Sequence, residues 1–247
     1  MTDSPAEPVR IAKFLAAAGI ASRRRCEDLV TAGEITVNGN VISAPGTKVD
    51  PATDTIVWQG EVVTEKRKHY VVLNKPVGYT CSAGDAHAKK LVTELFPEQH
   101  ERLFTVGRLD RESEGLLICT NDGDFAQIIS HPSHEIPKRY RVWVQGSVYP
   151  GQMRRLEHGI KDKGDVLKAL NVRQIKRQEF RTELEFVIAE GKNREIRRMC
   201  RNCGWRVLRL QRVQIGPVKL GQLDKGMWRS MTLEERQRLL ELAGKTL

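Results

Sequence analysis

Residues 105–122, TVGRLDRESEGLLICTND, set two apolar, β-like runs, TVG and LLICT, on either side of the charged octet RLDRESEG. In one extended strand Asp110, Glu112 and Glu114 would project from a single face, where neighbouring carboxylates repel one another. The stretch therefore reads as strand, loop, strand, with Asp110 at the start of the loop. Outward from it, YVVLNKPVG, KRYRVWVQG, DVLKALNVRQI and RTELEFVIAEG also read as strands. DGDFAQIIS, QMRRLEHGI, NREIRRMCRNCG and LEERQRLLELAG read as helices. Strands in hairpin-like succession with a few helices predict an α+β domain, a mostly antiparallel mixed sheet flanked by helices, over residues 69–247.

The chain before it has a different texture. Residues 1–8 carry Pro5 and Pro8 among small polar residues and read as a flexible tail. From Val9, IAKFLAAAG puts Ile11, Phe14, Leu15 and Ala18 on one helical face and stops at Gly19. Ser22 is a suitable N-cap for SRRRCEDLVTAG, whose Cys26, Leu29 and Val30 share a face. ITVNGNVI alternates around Asn38-Gly39, a strong hairpin signal. Short strands at Thr47–Val49 and Thr55–Trp58 complete a small helix-helix-sheet domain over 9–60, and the charged stretch 61–68 reads as a linker.

The 247 residues are 40% hydrophobic, enough for a real core, and 41 Lys plus Arg against 31 Asp plus Glu give a formal charge of +10. That surplus suits a binder of nucleic acid. Five cysteines without framework spacing exclude a disulfide scaffold and fit a reducing cytoplasm. No signal pattern and no apolar run of membrane-spanning length is present. Arg10, Lys13, Arg23, Arg24 and Arg25 fall on or just before the two small helices. Cations in a first turn oppose the helix dipole, so something else favours them, and phosphate is the obvious candidate. A solvated basic turn is the plainer alternative.

GKNREIRRM, residues 191–199, places Arg194 and Arg197 at i and i+3, toward nearly the same side. Arg198 and Arg201 read as a solvated face or as phosphate contacts. CRNC, residues 200–203, is a single pair without the partners that zinc requires. Asp110, Glu112, Glu114 and Gly115 imitate half of a calcium loop, but the twelfth position is Asn121 and the flanks are strands. The histidines at 69, 87, 100, 131, 134 and 158 show no ligand spacing, and no nucleotide-binding fingerprint occurs. No metal or cofactor is expected.

GRLDRESEGLLICTNDGDFA, KRY and GKNREIRRM resemble, in order and spacing, the sequence motifs of the ribosomal RNA pseudouridine synthases of the small-subunit and large-subunit branch, and NKPVGYTCS resembles their upstream motif. GIASRRRCEDLVTAGEITVNGNVI resembles the S-four RNA-binding domain that these enzymes carry at the N-terminus. The resemblance implies a cofactor-free isomerisation of uridine to pseudouridine in RNA. Asp110 corresponds to the essential aspartate, Arg197 to the basic residue that pairs with it, and Tyr140 to the tyrosine that stacks on the uracil and serves the carbon-5 proton. It implies that removing Arg197 strands a buried carboxylate. Lys75 and Arg108 would fill or line the pocket, and Lys75, Arg108, Lys192, Arg194 and Arg198 would join the N-terminal cations in holding RNA. Glu195 stands where relatives often have Gln, and Glu112 and Glu114 are expected to be replaceable.

The resemblance further implies a uridine flipped out of its stack, a large-subunit ribosomal RNA or assembly intermediate as substrate, no membrane association and a cytoplasmic monomer. Two rivals stay open: an RNA-binding assembly protein that does no chemistry, and an RNA glycosidase using Glu112 or Glu114 as the second carboxylate.

Overall fold

The computed structural model describes residues 8–81, 88–96 and 102–245. Most of the expected tail, Ser82 of the NKPVGYTCS stretch, His87 and His100 lie outside them. The chain forms two compact units, one of residues up to Lys68 with Asn121–Gly123, the other of His69–Thr120 with the rest from Asp124.

The first unit holds β1 (Val9–Arg10), α1 (Ile11–Ala17), α2 (Arg23–Thr31), β2 (Ile35–Val37), β3 (Asn40–Ile42), β4 (Lys48–Val49), β5 (Ile56–Trp58) and β6 (Glu61–Val62). Ile11, Phe14 and Leu15 of α1 and Cys26, Leu29 and Val30 of α2 pack on Ile35, Val49 and Ile56. The Ser22 hydroxyl caps α2 by accepting from Arg25 N at 3.3 Å. Asn38 and Gly39 both have positive φ, 52° and 79°, as a two-residue hairpin turn requires. The strands order β3-β2-β5-β6, so Glu61–Val62, expected to begin a linker, instead forms an edge strand paired to β5. The turn that makes this possible puts Gln59 at φ 51°, a conformation its side chain does not advertise.

The second unit holds β7 (Tyr70–Lys75), β8 (Phe104–Val106), β9 (Glu114–Thr120), α3 (Gly123–Ser130), β10 (Lys138–Gln145), α4 (Pro150–His158), β11 (Ile160–Asp162), β12 (Asp165–Leu167), β13 (Asn171–Arg177), β14 (Arg181–Ile188), α5 (Glu195–Asn202), β15 (Val207–Ile215), β16 (Val218–Lys219), β17 (Trp228–Ser230) and α6 (Leu233–Leu242). DVLKALNVRQI, read as one strand, is two: β12 pairs β11 in a separate hairpin, and β13 joins the main sheet. That sheet runs β13-β14-β10-β15-β9-β7-β17, with β8 on β9 and β16 on β15. Its pairings are antiparallel except β15 on β9.

Side chains alternate across this sheet and bury on both faces. Leu73, Leu117, Val142 and Phe186 meet Leu156 of α4 and Ile196 and Met199 of α5. Val72, Leu116 and Ile118 meet Phe125 and Ile129 of α3 and Leu239 and Leu240 of α6. A central strand covered on both faces explains why LLIC is continuously apolar. No helix among the described residues is long and apolar enough to cross a membrane.

The lone parallel pairing depends on Gly115. Its φ is +104°, and a Cβ there would lie 2.2 Å from the Arg212 carbonyl oxygen. Backbone occupies the space that any side chain would need. Gly115→Ala is expected to cost at least about 2 kcal/mol, read as a lower urea midpoint. Gly146→Ala, at φ +81° with open space around it, should cost only the backbone strain of about 1–2 kcal/mol.

Candidate active site

The loop between β8 and β9 is fixed from inside. Leu109 is buried and its backbone N–H donates to Cys81 Sγ at 3.4 Å. Ser113 N donates to the Asp110 carbonyl at 2.9 Å, closing a turn over Asp110–Ser113. Lys75 ends β7 with a completely buried side chain. Its Nζ donates to the carbonyls of Pro76 (3.0 Å), Asp110 (3.2 Å) and Ser113 (2.7 Å). Burial pushes the Lys75 ammonium down to about 8. This corrects its assignment to RNA binding: with all three donors used and no exposed surface, Lys75 positions the loop. β8 stops at Val106, and beyond it Asp110 is held by these bonds.

Helix α5 approaches the same loop. Ile196, Met199 and Cys200 face the core, which leaves Arg197 directed at the loop and Arg194 at the N-cap with φ 49°. Arg197 Nη2 donates to the Glu112 carbonyl at 3.0 Å and to Ser113 Oγ at 3.2 Å. Its Nε lies 3.9 Å from Asp110 Oδ2, and Arg194 Nη1 lies 3.8 Å from the same oxygen. These are charge contacts too long for hydrogen bonds. The expectation that removing Arg197 strands a buried carboxylate is corrected by the Asp110 side chain, which is 31% exposed.

A cleft of ≈ 790 Å³ opens beside Asp110 and contains Tyr140, Arg108, Lys138, Glu195 and Arg212 over an apolar floor that includes Ile196 and Leu210. Tyr140, buried in β10, sits opposite Arg212 of β15. Arg108 is exposed at the rim. Arg197 lines the neighbouring pocket while Asp110 lines the cleft, so this pair stands between the two.

Several residues expected at an RNA surface are otherwise engaged. Arg198 is gripped by Asp162 (2.6 Å) and Asp165 (2.7 Å) and ties α5 to the β11–β12 hairpin, which removes it as a phosphate contact. Lys192 Nζ lies 2.5 Å from Glu190 and donates to the Val166 carbonyl at 2.7 Å, yet its residue lines the cleft. Glu114 is not a loop residue and not free to be replaced: it opens β9, is buried, and binds Arg209 and Lys225, the latter at 2.8 Å. Burial pushes its carboxyl up, and those two cations more than reverse this, leaving it below the ordinary range. Glu112 is 63% exposed and takes a 3.0 Å bond from Arg194. In the first unit Arg10, Arg23, Arg24 and Arg25 are exposed and Lys13 is half-buried.

Arg212, Lys138 and Glu195 are cleft residues to which the sequence motifs assign no role. Arg212 is buried, donates from Nε to the Leu116 carbonyl at 2.7 Å, and leaves Nη2 without a partner among the described residues. Lys138 Nζ donates to the Ile136 and Ala189 carbonyls, both at 3.0 Å, and burial pushes it down to about 8. Glu195 Oε2 accepts from Lys192 N at 3.2 Å while Oε1 has no partner among the described residues, and burial pushes the carboxyl up to about 7. Burial is what separates these three from the exposed charged residues around them, and burial is not written in a local pattern.

Comparison with known proteins agrees with this geometry. Residues 69–202 match the family model described as RNA pseudouridylate synthase, and residues 9–56 match the S4 domain. An uncharacterized RNA pseudouridine synthase of Aquifex aeolicus is 40% identical, covering 96% of this chain and 95% of its own. The ribosomal large subunit pseudouridine synthase B of Bacillus subtilis is 36% identical over 95% and 96%. A crystal structure of a pseudouridylate synthase superposes with a TM-score of 0.66 at 26% identity, over 94% of this chain and 99% of the other. The chain belongs to the RNA pseudouridylate synthase family and carries an S4 domain ahead of the synthase domain.

Glu195 gives a test of the cleft's electrostatics. A carboxyl raised to about 7 from 4.5 holds a proton that the unfolded chain releases, so its contribution to stability falls as pH rises between those values. Glu195→Gln should remove that fall, gaining on the order of 2 kcal/mol over wild type at pH 8 and little at pH 4.5. Urea unfolding at the two pH values measures the difference.

Proposed function

We propose that this enzyme isomerises one flipped uridine of large-subunit ribosomal RNA to pseudouridine in the cytoplasm, with Asp110, Tyr140 and Arg197 as its working groups. The observation that carries the reading is the meeting of three distant segments: the Asp110 carboxylate and the Tyr140 ring share one cleft, and the Arg194 and Arg197 guanidiniums stand 3.8 and 3.9 Å from that carboxylate. A base inside a duplex cannot reach Asp110, so the target nucleotide enters flipped, stacked on Tyr140. The carboxylate then acts as nucleophile at the ribose or the base. The bond from nitrogen-1 to the ribose breaks, the uracil turns, its carbon-5 bonds to the ribose in its place, and the bond to the carboxylate breaks, which frees Asp110. Carbon-5 loses its proton with the help of the Tyr140 hydroxyl, and nitrogen-1 gains one from solvent. Product and substrate are isomers, so no electrons and no external group are needed.

The relative named for the ribosomal large subunit, matched over nearly its whole length, supports that RNA as the substrate. The glycosidase reading loses Glu112 and Glu114 as its second acid, because neither lines the cleft and both are held by cations.

Ribosomal RNA tritiated at uracil carbon-5 provides the test. Wild type should release tritium with no free uracil and no strand loss, and Asp110→Asn should release at least about 10³-fold less. Free uracil would identify a hydrolase instead, and equal release from both proteins would remove Asp110 from the chemistry.

A further inference from the structure

Two positions before Tyr140, on the same face of β10, stands Lys138. Its neighbours on the flanking strands are Ile188 of β14 and Ile215 of β15, and all three line the catalytic cleft. An ammonium among apolar side chains is costly unless its donors are used. Two of them are: Nζ donates to the Ile136 and Ala189 carbonyls, both at 3.0 Å, which ties the approach to β10 to the end of β14. A neutral amide, with two donors, makes such a strap as well. Lysine adds a third donor and a full charge. That donor has no partner among the described residues, and Lys138 is only half-buried. Along the strand Lys138 and Tyr140 are about 7 Å apart, close enough for a base stacked on the Tyr140 ring to meet the ammonium.

Isomerising a uridine loads negative charge on one atom of the base again and again. When nitrogen-1 leaves the ribose, its electron pair spreads through carbon-6 and carbon-5 to the carbonyl oxygen on carbon-4. Attack of a carboxylate on carbon-6 sends charge to the same oxygen, and loss of the carbon-5 proton leaves charge conjugated to it. Whether Asp110 attacks ribose or base, that oxygen gains from a fixed cationic donor. The other cations near Asp110 are placed for other work. Arg194 and Arg197 face its carboxylate, while Arg212 gives Nε to the Leu116 carbonyl and has Nη2 enclosed.

We infer that the Lys138 ammonium donates to the carbon-4 carbonyl oxygen of the target uracil and steadies the charge that gathers there as the base is cleaved and rejoined. The inference rests on the synthase reading and adds the orientation of the base, with its carbon-4 edge toward the start of β10. Cytosine carries an amino group at that carbon, which meets the ammonium donor to donor, so the same residue selects uracil.

Tritium release from ribosomal RNA labelled at uracil carbon-5, with kcat and KM separated, tests it. Lys138→Met should lower kcat about 10²-fold and leave KM within about twofold, because the lost contact strengthens only as charge develops. The pH profile separates this role from a strap. Burial brings the ammonium down to about 8; Arg212 of β15 presses the same way, Glu195 at the start of α5 opposes, and Glu135, Glu190 and Lys192 also line the cleft. The charge is present below that pH and lost above it, so wild-type kcat/KM should fall above about pH 8. A strap survives the same deprotonation, since a neutral amine still offers two donors. Lys138→Arg keeps its charge and should retain part of the activity without that fall. A kcat of Lys138→Met within about threefold of wild type, or a wild-type kcat/KM that stays flat through about pH 9, overturns the assignment. Should Lys138→Met lose its cooperative urea transition, the profiles of wild type and Lys138→Arg decide. If wild type releases no tritium at any pH, the synthase reading falls and this one with it; release by wild type with either overturning result removes Lys138 alone.

Discussion

A lysine ammonium with no exposed surface and three carbonyl acceptors holds the catalytic loop in place. Lys75 arrives from β7 and collects the oxygens of Pro76, Asp110 and Ser113, so the strand, the turn and the residue carrying the carboxylate become one body. Its desolvation is large enough to bring it down to about 8. Natural cores seldom keep a buried lysine unless its donors are filled. Here they are filled by backbone, which fixes the main chain at Asp110 and leaves the side chain free to face the cleft. An apolar residue of equal size would pack, and would orphan three carbonyls beside the site.

The sheet supplies the second constraint. β15 runs parallel to β9 only at Gln211–Arg212 opposite Glu114–Gly115, where the backbones are too close for a Cβ. That contact delivers Arg212 into the cleft and ends the Asp110 loop on the same two residues. Glu114, clasped by Arg209 of β15 and by Lys225, fastens the crossing on its other side. The acidity of RLDRESEG thus divides three ways: Asp110 to the cleft, Glu112 to the surface with Arg194, and Glu114 to the sheet.

Much of this architecture is legible in the amino-acid sequence, and the reasons differ by element. α2 with its Ser22 cap, the Asn38-Gly39 hairpin and the amphipathic α6 follow from signals that lie within a few residues of one another. Asp110, Tyr140 and Arg197 stand out through motifs, and the sheet brings their segments together. Lys75 and Arg198 escape a correct assignment for one shared cause: a cation in a basic motif looks the same whether it meets phosphate, three carbonyls or two aspartates. β6 is hidden because Gln59 occupies a left-handed turn position where Asn or Gly is the usual signal. Glu114 passes for a loop residue because the strand begins before the apolar run does. Arg212, Lys138 and Glu195 acquire their character from burial by elements far away in the chain.

Adjacent residues of α5 show what distinguishes a structural arginine from a functional one. Arg198 meets two aspartates at 2.6 and 2.7 Å, a grip that engages its guanidinium from two sides. Arg197 anchors its Nη2 on the loop backbone and holds its Nε 3.9 Å from Asp110, near enough for attraction and too far for a hydrogen bond. A bidentate clasp on Asp110 would occupy the lone pairs that a nucleophile needs. Arg194, pulled into a left-handed conformation at the helix start, stands off at 3.8 Å in the same way. The site therefore surrounds its carboxylate with positive charge while leaving its oxygens open, the arrangement that the proposed attack on a uridine would use.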